Sequence, residues 1–304
     1  MNKYKKVMLI YGGISSEREI SIISSKGINE SLIRNNYEVI RIDADENLES
    51  QIKKHNPDAI FNALHGTWGE DGKVQKIIES TNVPYTNSGI RASELAMDKH
   101  KSSEVFTKIN LSYPNTVLSS LKLIKNEDLM DYPYVLKPRN EGSSVGVGII
   151  KNENDKKKYI DQNKERDEIL VQEFIEGKEI QVAIYGDNKT GSIEIDPKNE
   201  FYDYESKYFD NGQTKHIIPP RITVQQMDFV EKLALEAHNG LGCKGISRTD
   251  FILEKKSEIF YILEVNTQPG MTKKSLLPEL AKYSGISFNE LVEWIISDAS
   301  CGKY

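Results

Sequence analysis

The richest chemistry in the chain lies near its C-terminal end, in the segment SRTDFILEKKSEIFYILEVNTQPGMT. Arg248 and Asp250 stand two residues apart, as do Glu264 and Asn266, and on a strand every second side chain points to the same face. Directly opposed residues of an antiparallel hairpin also share a face. If the tight connection around Lys256 has an odd number of residues, all four groups converge. Two carboxylates and an amide oxygen form a hard oxygen set that suits Mg²⁺ and leaves room for waters and phosphate oxygens. Alternation alone is also what a half-solvated sheet shows. Here, however, Glu264 and Asn266 interrupt an apolar strand immediately before an irregular Pro269-Gly270 turn.

Two lysines add a phosphate-sized charge. Lys137 closes the apolar strand Tyr134–Leu136, and Lys99 ends a helical stretch, Ala92–Met97. A lysine at a strand end above a glycine loop can neutralise phosphate oxygens while loop amides cradle them. The loop Gly142-Ser-Ser-Val-Gly-Val-Gly148 is flexible by composition and suits that role loosely. No G-x-x-x-x-G-K-[ST] occurs, which excludes a Walker-type site. No G-x-G-x-x-G follows the first strand, which argues against a dinucleotide-binding oxidoreductase.

These groups need elements to position them. Val7–Tyr11 reads as a short apolar strand entering a Gly12-Gly13 turn. Ser16-x-x-Glu19 reads as a capping box opening a helix with Ile20, Ile23, Ile28 and Leu32 on or near one stripe. Strands Tyr37–Asp43 and Asp58–Leu64 and a helix carrying Val74, Ile77 and Ile78 complete a βαβ alternation. That pattern favours a parallel sheet with ligands at the carboxyl ends of its strands, where Gly12-Gly13 and His65-Gly66 would share a cleft. A second unit has helical residues to about Asn110 and strands near Tyr134–Pro138, Val145–Ile150 and Ile169–Phe174. A third has strands Glu179–Tyr185 and Ser192–Asp196, an aromatic, charged loop Phe201–Phe209, and a helix from Thr223 (with Gln226, a second capping box) to Gly240. Strands Gly245–Leu253 and Ile259–Asn266 and a last helix near Phe288–Ser297 follow.

A length of 304 residues fits two or three compact α/β units. The formal charge of −6 argues against a nucleic-acid partner, and Lys156–Lys158 read as solvated helix surface. Cys243 and Cys301 make no C-x-x-C, so a reducing compartment is natural and neither a disulfide framework nor a cysteine zinc site is expected. The apolar run Val7–Ile10 is too short for a signal core, and no stretch approaches transmembrane length. A cytoplasmic place with no membrane partner is expected.

Taken in order, several blocks resemble the D-alanine–D-alanine ligases of the ATP-grasp superfamily. They are GGISSEREIS at 12–21, ALHGTWGEDGKVQ at 63–75, PYTNSGIRASELAMDK at 84–99, LKPRNEGSSVGVG at 136–148, FYDYESKY at 201–208, RTD at 248–250 and EVNTQPGMTKKSLLP at 264–278. The resemblance spans nearly the whole chain. It implies an α/β (α+β) ATP-grasp fold divided as 1–91, a parallel-sheet N-terminal substrate domain, 92–177, a central subdomain, and 178–304, a C-terminal catalytic subdomain. It implies ATP-dependent joining of two D-alanines through an acyl phosphate, for peptidoglycan precursor synthesis, with two Mg²⁺ ions for which Mn²⁺ can substitute. A homodimer is expected from the family alone.

By position, Lys99, Lys137, Ser144, Val145 and Lys207 match groups around the phosphates, and Glu179 matches the carboxylate near the ribose. Gln172, Glu173, Phe174 and Ile175 match the adenine hinge. Asp250, Glu264 and Asn266 match the magnesium ligands. Glu17 matches the acid that receives the first D-alanine's ammonium, with Ser143 and Tyr208 linking it to a closing loop. Arg248 and the Gly270 N–H match the oxyanion hole, while Ser275 and Leu276 match the site of the second carboxylate. Gln172 stands where the family usually has glutamate, and Lys274 where many relatives have histidine. Tyr208 speaks against D-lactate as second substrate, because depsipeptide-forming relatives tend to lack it.

Overall fold

The structure, a computed structural model, describes residues 2–142, 145–186, 188–197 and 214–303. β1 (Lys6–Tyr11) lies between β2 (Glu38–Asp43) and β3 (Ala59–Asn62) in a parallel sheet of order β2-β1-β3. Val7 through Ile10 are fully buried, the continuous apolar run of a strand covered on both faces. Helices α1 (Arg18–Arg34), α2 (Leu48–His55) and α3 (Lys73–Glu79) accompany this sheet.

The expected capping box at Ser16 does not form. α1 starts at Arg18 with Glu17 at its N-cap and no side-chain cap bond. Ser15 takes the local role instead: its hydroxyl accepts the Glu17 N–H at 3.1 Å and donates to the His65 carbonyl at 2.6 Å. The turn is therefore docked onto the loop after β3, one residue earlier than the sequence signature implies. Ile23 also leaves the expected stripe and is exposed, because the inward face of α1 carries small residues, Ser21, Ser24, Ser25 and Ser31, beside Ile20, Ile28 and Leu32.

After α4 (Ile90–Met97) and α5 (Lys99–Lys108) comes an antiparallel sheet of β4 (Thr116–Ser119), β5 (Tyr134–Pro138), β6 (Gly148–Ile150) and β7 (Ile169–Glu173), ordered β4-β7-β5-β6. The glycine loop joins β5 to β6. Tyr134 and Leu136 point into a core shared with α6 (Leu121–Asn126) and α7 (Glu153–Gln162). The alternate residues Val135 and Lys137 face the opposite way, into a cleft. Lys156, expected on solvated surface, is buried on α7. Its Nζ reaches Asp128 at 3.0 Å and Glu153 at 2.8 Å, so the aliphatic stem is covered while two acids hold the charge.

The third sheet is antiparallel, of order β10-β9-β8-β11-β12: β8 (Gly177–Tyr185), β9 (Asn188–Asp196), β10 (Lys215–Ile217), β11 (Ile246–Glu254) and β12 (Phe260–Asn266). α8 (Val224–Leu241) has the expected Thr223–Gln226 capping box and ends at Gly242, whose φ of 75° caps it two residues beyond the predicted end. It packs with α4 and α5 over Ile180, Val182 and Ile184. α9 (Leu276–Tyr283) and α10 (Phe288–Ser297) join the other face, Ala183 and Ile193, to Val7, Leu9 and Phe61 of the first sheet.

Candidate active site

The four groups of the last hairpin do converge, by a route the turn alone would not provide. Arg248 pairs with Asn266, and Asp250 with Glu264, directly across β11 and β12. The turn between the last paired residues, Leu253 and Phe260, contains six residues, an even number. A bulge leaves Leu263 unpaired between Ile262 and Glu264, and that extra residue restores the parity. Arg248 is fixed on Asp250 by two bonds, Nε to Oδ1 at 2.7 Å and Nη2 to Oδ2 at 2.9 Å. Asn266 Oδ1 accepts the Gln268 N–H at 2.8 Å, which shapes the turn towards Gly270.

Lys99 comes from across the cleft. Asp98 caps α5 and is gripped by Arg139 at 2.7 Å, which sets Lys99 on the first turn with its Nζ 3.3 Å from Glu264. The same Nζ donates to the Glu141 carbonyl at 2.5 Å, at the start of the glycine loop. Lys137 is buried on β5. Burial pushes its ammonium down to about 7, the nearby Lys99 pushes the same way, and Glu264 offsets only part of this. Among the described residues, no three His, Cys, Asp or Glu side chains form a metal cluster on their own. Two opposed carboxylates and an amide oxygen beside a phosphate-sized cleft still fit a hard cation that takes its remaining ligands from phosphate and water.

Glu264, Asp250, Lys99 and Lys137 open into a cleft of about 390 Å³ between the second and third sheets. Its far end is lined by Gln172 through Ile175 and by Glu179. The Gln172 amide donates to Thr116 Oγ1 at 2.8 Å. Glu194, which the sequence reading missed, sits beside this cleft with Arg221. Burial alone would raise Glu194, but the guanidinium, with Nε at 3.0 Å, holds it below the usual carboxylate range. An acid inside the apolar strand Ser192–Asp196 was the available signal.

A smaller cavity, about 50 Å³, connects Glu264, Asn266 and Arg248 with Gly142 and Glu70. Around its other end lies a buried polar group. Glu17 Oε2 is so near the backbone of Gly66 that a β-carbon there would stand 2.7 Å away, and one on Gly142 would stand 3.5 Å away. His65 bridges Ser24 and Glu70, each at 3.2 Å. Burial pushes the Glu70 carboxyl up, against the His65 hydrogen bond, with the Glu17 charge adding to the rise. Sequence reasoning placed His65 in this cleft but missed Ser24 and Glu70, although Glu70 lies inside the ALHGTWGEDG block.

On the opposite side, a β-carbon on Gly270 would meet Ser275 Oγ at 2.8 Å. Ser275 precedes α9, so the Leu276 N–H is one of the free donors at a helix N-terminus, while its side chain is buried in the core. Ser143, Ser144, Lys207, Tyr208 and the loop Phe201–Phe209 lie outside the described residues; Val145 donates its N–H to the Gly142 carbonyl at 3.1 Å.

Two antiparallel sheets clasping a nucleotide-sized cleft, with acids on one wall and lysines on the other, define an ATP-grasp ligase. The family described as "D-ala D-ala ligase C-terminus" matches residues 109–297, and "D-ala D-ala ligase N-terminus" matches residues 44–88. A D-alanine–D-alanine ligase of Pelagibacter ubique is 45% identical over 98% of this chain and 99% of its own. One of Parvibaculum lavamentivorans is 43% identical over the full length of both. The crystal structure of the Bacillus anthracis enzyme complexed with ATP superposes with a TM-score of 0.82 at 31% identity, covering 98% of this chain and 97% of that one. The chain belongs to the D-alanine–D-alanine ligase family.

Proposed function

We propose that the protein uses ATP to join two D-alanines into D-alanyl-D-alanine, releasing ADP and phosphate, as a step towards peptidoglycan. The observation that carries this reading is the Arg248–Asn266 and Asp250–Glu264 pairing, with Lys99 from the opposite wall reaching Glu264. A carboxylate is a poor electrophile, so the first D-alanine is activated by taking the terminal phosphoryl group of ATP. Glu17 receives its ammonium at the buried end of the site. Lys99 and Lys137, with Ser144, Val145 and Lys207 of the two loops, neutralise the phosphates, and positioning and charge supply most of the acceleration. Asp250, Glu264 and Asn266 would hold the magnesium ions, which supply charge stabilisation at the transferring phosphoryl group.

The second D-alanine places its carboxylate at Ser275 and the α9 N-terminus, where backbone donors and the helix dipole favour an anion. Its amine then attacks the acyl carbon. Arg248 and the Gly270 N–H meet the oxyanion that develops. Ser143 and Tyr208 tie the closing loop to Glu17 and exclude water, which would hydrolyse the acyl phosphate. Gln172, Glu173, Phe174 and Ile175 receive the adenine, and Glu179 the ribose. The protein acts in the cytoplasm as a homodimer.

The deciding assay is phosphate release from ATP with D-Ala, L-Ala, D-Ser and D-lactate side by side. D-Ala should dominate. Asp250→Asn and Glu264→Gln should each stay folded with turnover nearly abolished. Near-normal turnover of either at ordinary magnesium concentration would remove the metal assignment, and preference for another substrate would remove the D-alanyl-D-alanine reading.

A further inference from the structure

Gln181 is fully buried in the middle of β8. It stands directly opposite Asp250 in the β8–β11 ladder, and Asp250 stands opposite Glu264 in the next. Opposed residues share a sheet face, so Gln181, Asp250 and Glu264 form one row across three strands. Glu179, two residues earlier, lies on that face as well. The Gln181 amide donates from Nε2 to Glu179 Oε1 at 2.7 Å. Its own oxygen, Oε1, is buried and has no hydrogen-bond partner among the described residues.

The neighbours make this amide conspicuous. Ile180, Val182 and Ala183 are also fully buried, so an apolar side chain at 181 would suit the strand without stranding an acceptor. A buried unsatisfied oxygen lowers stability, and native chains keep few of them without a functional return. What the amide does provide is a neutral donor to one oxygen of Glu179. A lysine or arginine in its place would fix the carboxylate but also cancel its charge. The amide fixes its direction without bringing a second charge to the carboxylate, which remains an acceptor for hydroxyl groups.

We infer that Gln181 is a positioning residue for the nucleotide sugar: it holds Glu179 in the orientation that accepts the ribose hydroxyls, and it does so from beneath the cleft without touching the ligand. The inference rests on Glu179 meeting the ribose, as proposed above. It deepens that reading by adding the group that makes the contact geometrically selective, and it predicts that this group lowers stability.

The test is Gln181→Met, which keeps the side-chain length and removes both the donor and the stranded oxygen. Gln181→Leu repeats it with a branched chain if the first variant folds poorly. The thermal midpoint should stay level or rise. The KM for ATP should rise about fivefold, the loss of one positioning hydrogen bond, with kcat and both D-alanine constants unchanged. The preference for ATP over 2′-deoxy- and 3′-deoxy-ATP should shrink. Added to Glu179→Gln, Gln181→Met should change nothing further. A lower midpoint with a uniform loss of activity, or an unchanged ATP preference, would overturn the positioning role. Glu179→Gln alone separates the two readings: if it preserves the preference for ATP, the ribose contact itself is wrong. If it abolishes that preference while Gln181→Met leaves it intact, only the role of Gln181 fails.

Discussion

Lys137 shows how a single residue's surroundings set its chemistry. The sequence presents a lysine at a strand end, and most lysines there are solvated. Pairing within the second sheet instead turns it into the cleft, where burial, Lys99 and only partial relief from Glu264 bring its ammonium down to about 7. A nucleotide phosphate bound beside it, as proposed above, would favour the charged form and raise the value again. Below about pH 7 the lysine is protonated both free and bound, and nucleotide affinity is at its maximum. Above that pH, binding must take up a proton, so affinity falls as pH rises until the bound-state value is passed. Calorimetric titration of a non-hydrolysable ATP analogue at about pH 8, in buffers of different ionisation enthalpy, should report net proton uptake. Lys137→Ala should abolish most of that uptake and weaken the nucleotide far more than D-alanine. Unaltered uptake in the variant would assign the proton to another group.

At the scale of elements, local signals were legible where one residue's bonding decides the outcome. They failed where tertiary contacts decide it. Thr223 and Gln226 form their capping box, each side chain accepting the other's backbone N–H, and the last helix runs Phe288–Ser297 as its pattern implied. Ser16 and Glu19 carry the same signature, yet Ser15, bonded to the His65 carbonyl, fixes the turn first and Glu17 becomes the N-cap. The hairpin of β11 and β12 shows the same limit. Strand parity identified the converging face, but only the Leu263 bulge makes an even turn compatible with it. Short elements such as β4, β10 and α6 went unread, having too few residues to show a period. Thr223→Ala should therefore lower the unfolding free energy by about 1 kcal/mol with no change in activity. Ser16→Ala should leave stability unchanged. Denaturant midpoints compare the two, and an equal loss in both would mean that Ser16 does cap α1.

Across the whole molecule, each of the three sheets is drawn from one continuous stretch of chain, but the cores cross between them. α4 and α5 pack on the third sheet, and α9 and α10 reach the first, so Val7 and Ala299 belong to one core. No local pattern could reveal this, because the partners are separated by nearly the full chain. The C-terminal tail extends the same connection with polar groups. Ser300 pairs with Tyr85, and the N–H groups of Gly302 and Lys303 donate to the Glu79 carboxylate at 3.1 and 2.9 Å. Lys303 is buried, with its Nζ donating to the carbonyls of Tyr85 and Asn87 at 2.5 and 2.6 Å. Asn87 donates in turn to Gln268 at 2.7 Å, and the Gln268 N–H meets Asn266 in the site. Lys303→Met keeps the stem and removes the ammonium, which takes a donor from the Asn87 carbonyl while the Tyr85 carbonyl keeps the Ser300 N–H. Burial already pushes Lys303 down to about 8, so relief of that desolvation returns part of the loss. The net change should be a destabilisation of about 1–2 kcal/mol. Turnover should hardly move, because the tail reaches Asn266 only through Asn87 and Gln268, and the Gln268 amide is also held by the Asn62 carbonyl. Chemical unfolding and initial rates measured on the same preparation decide it. A variant as stable as the parent would make the tail a passenger, and a large fall in kcat with unchanged stability would make it part of the catalytic support.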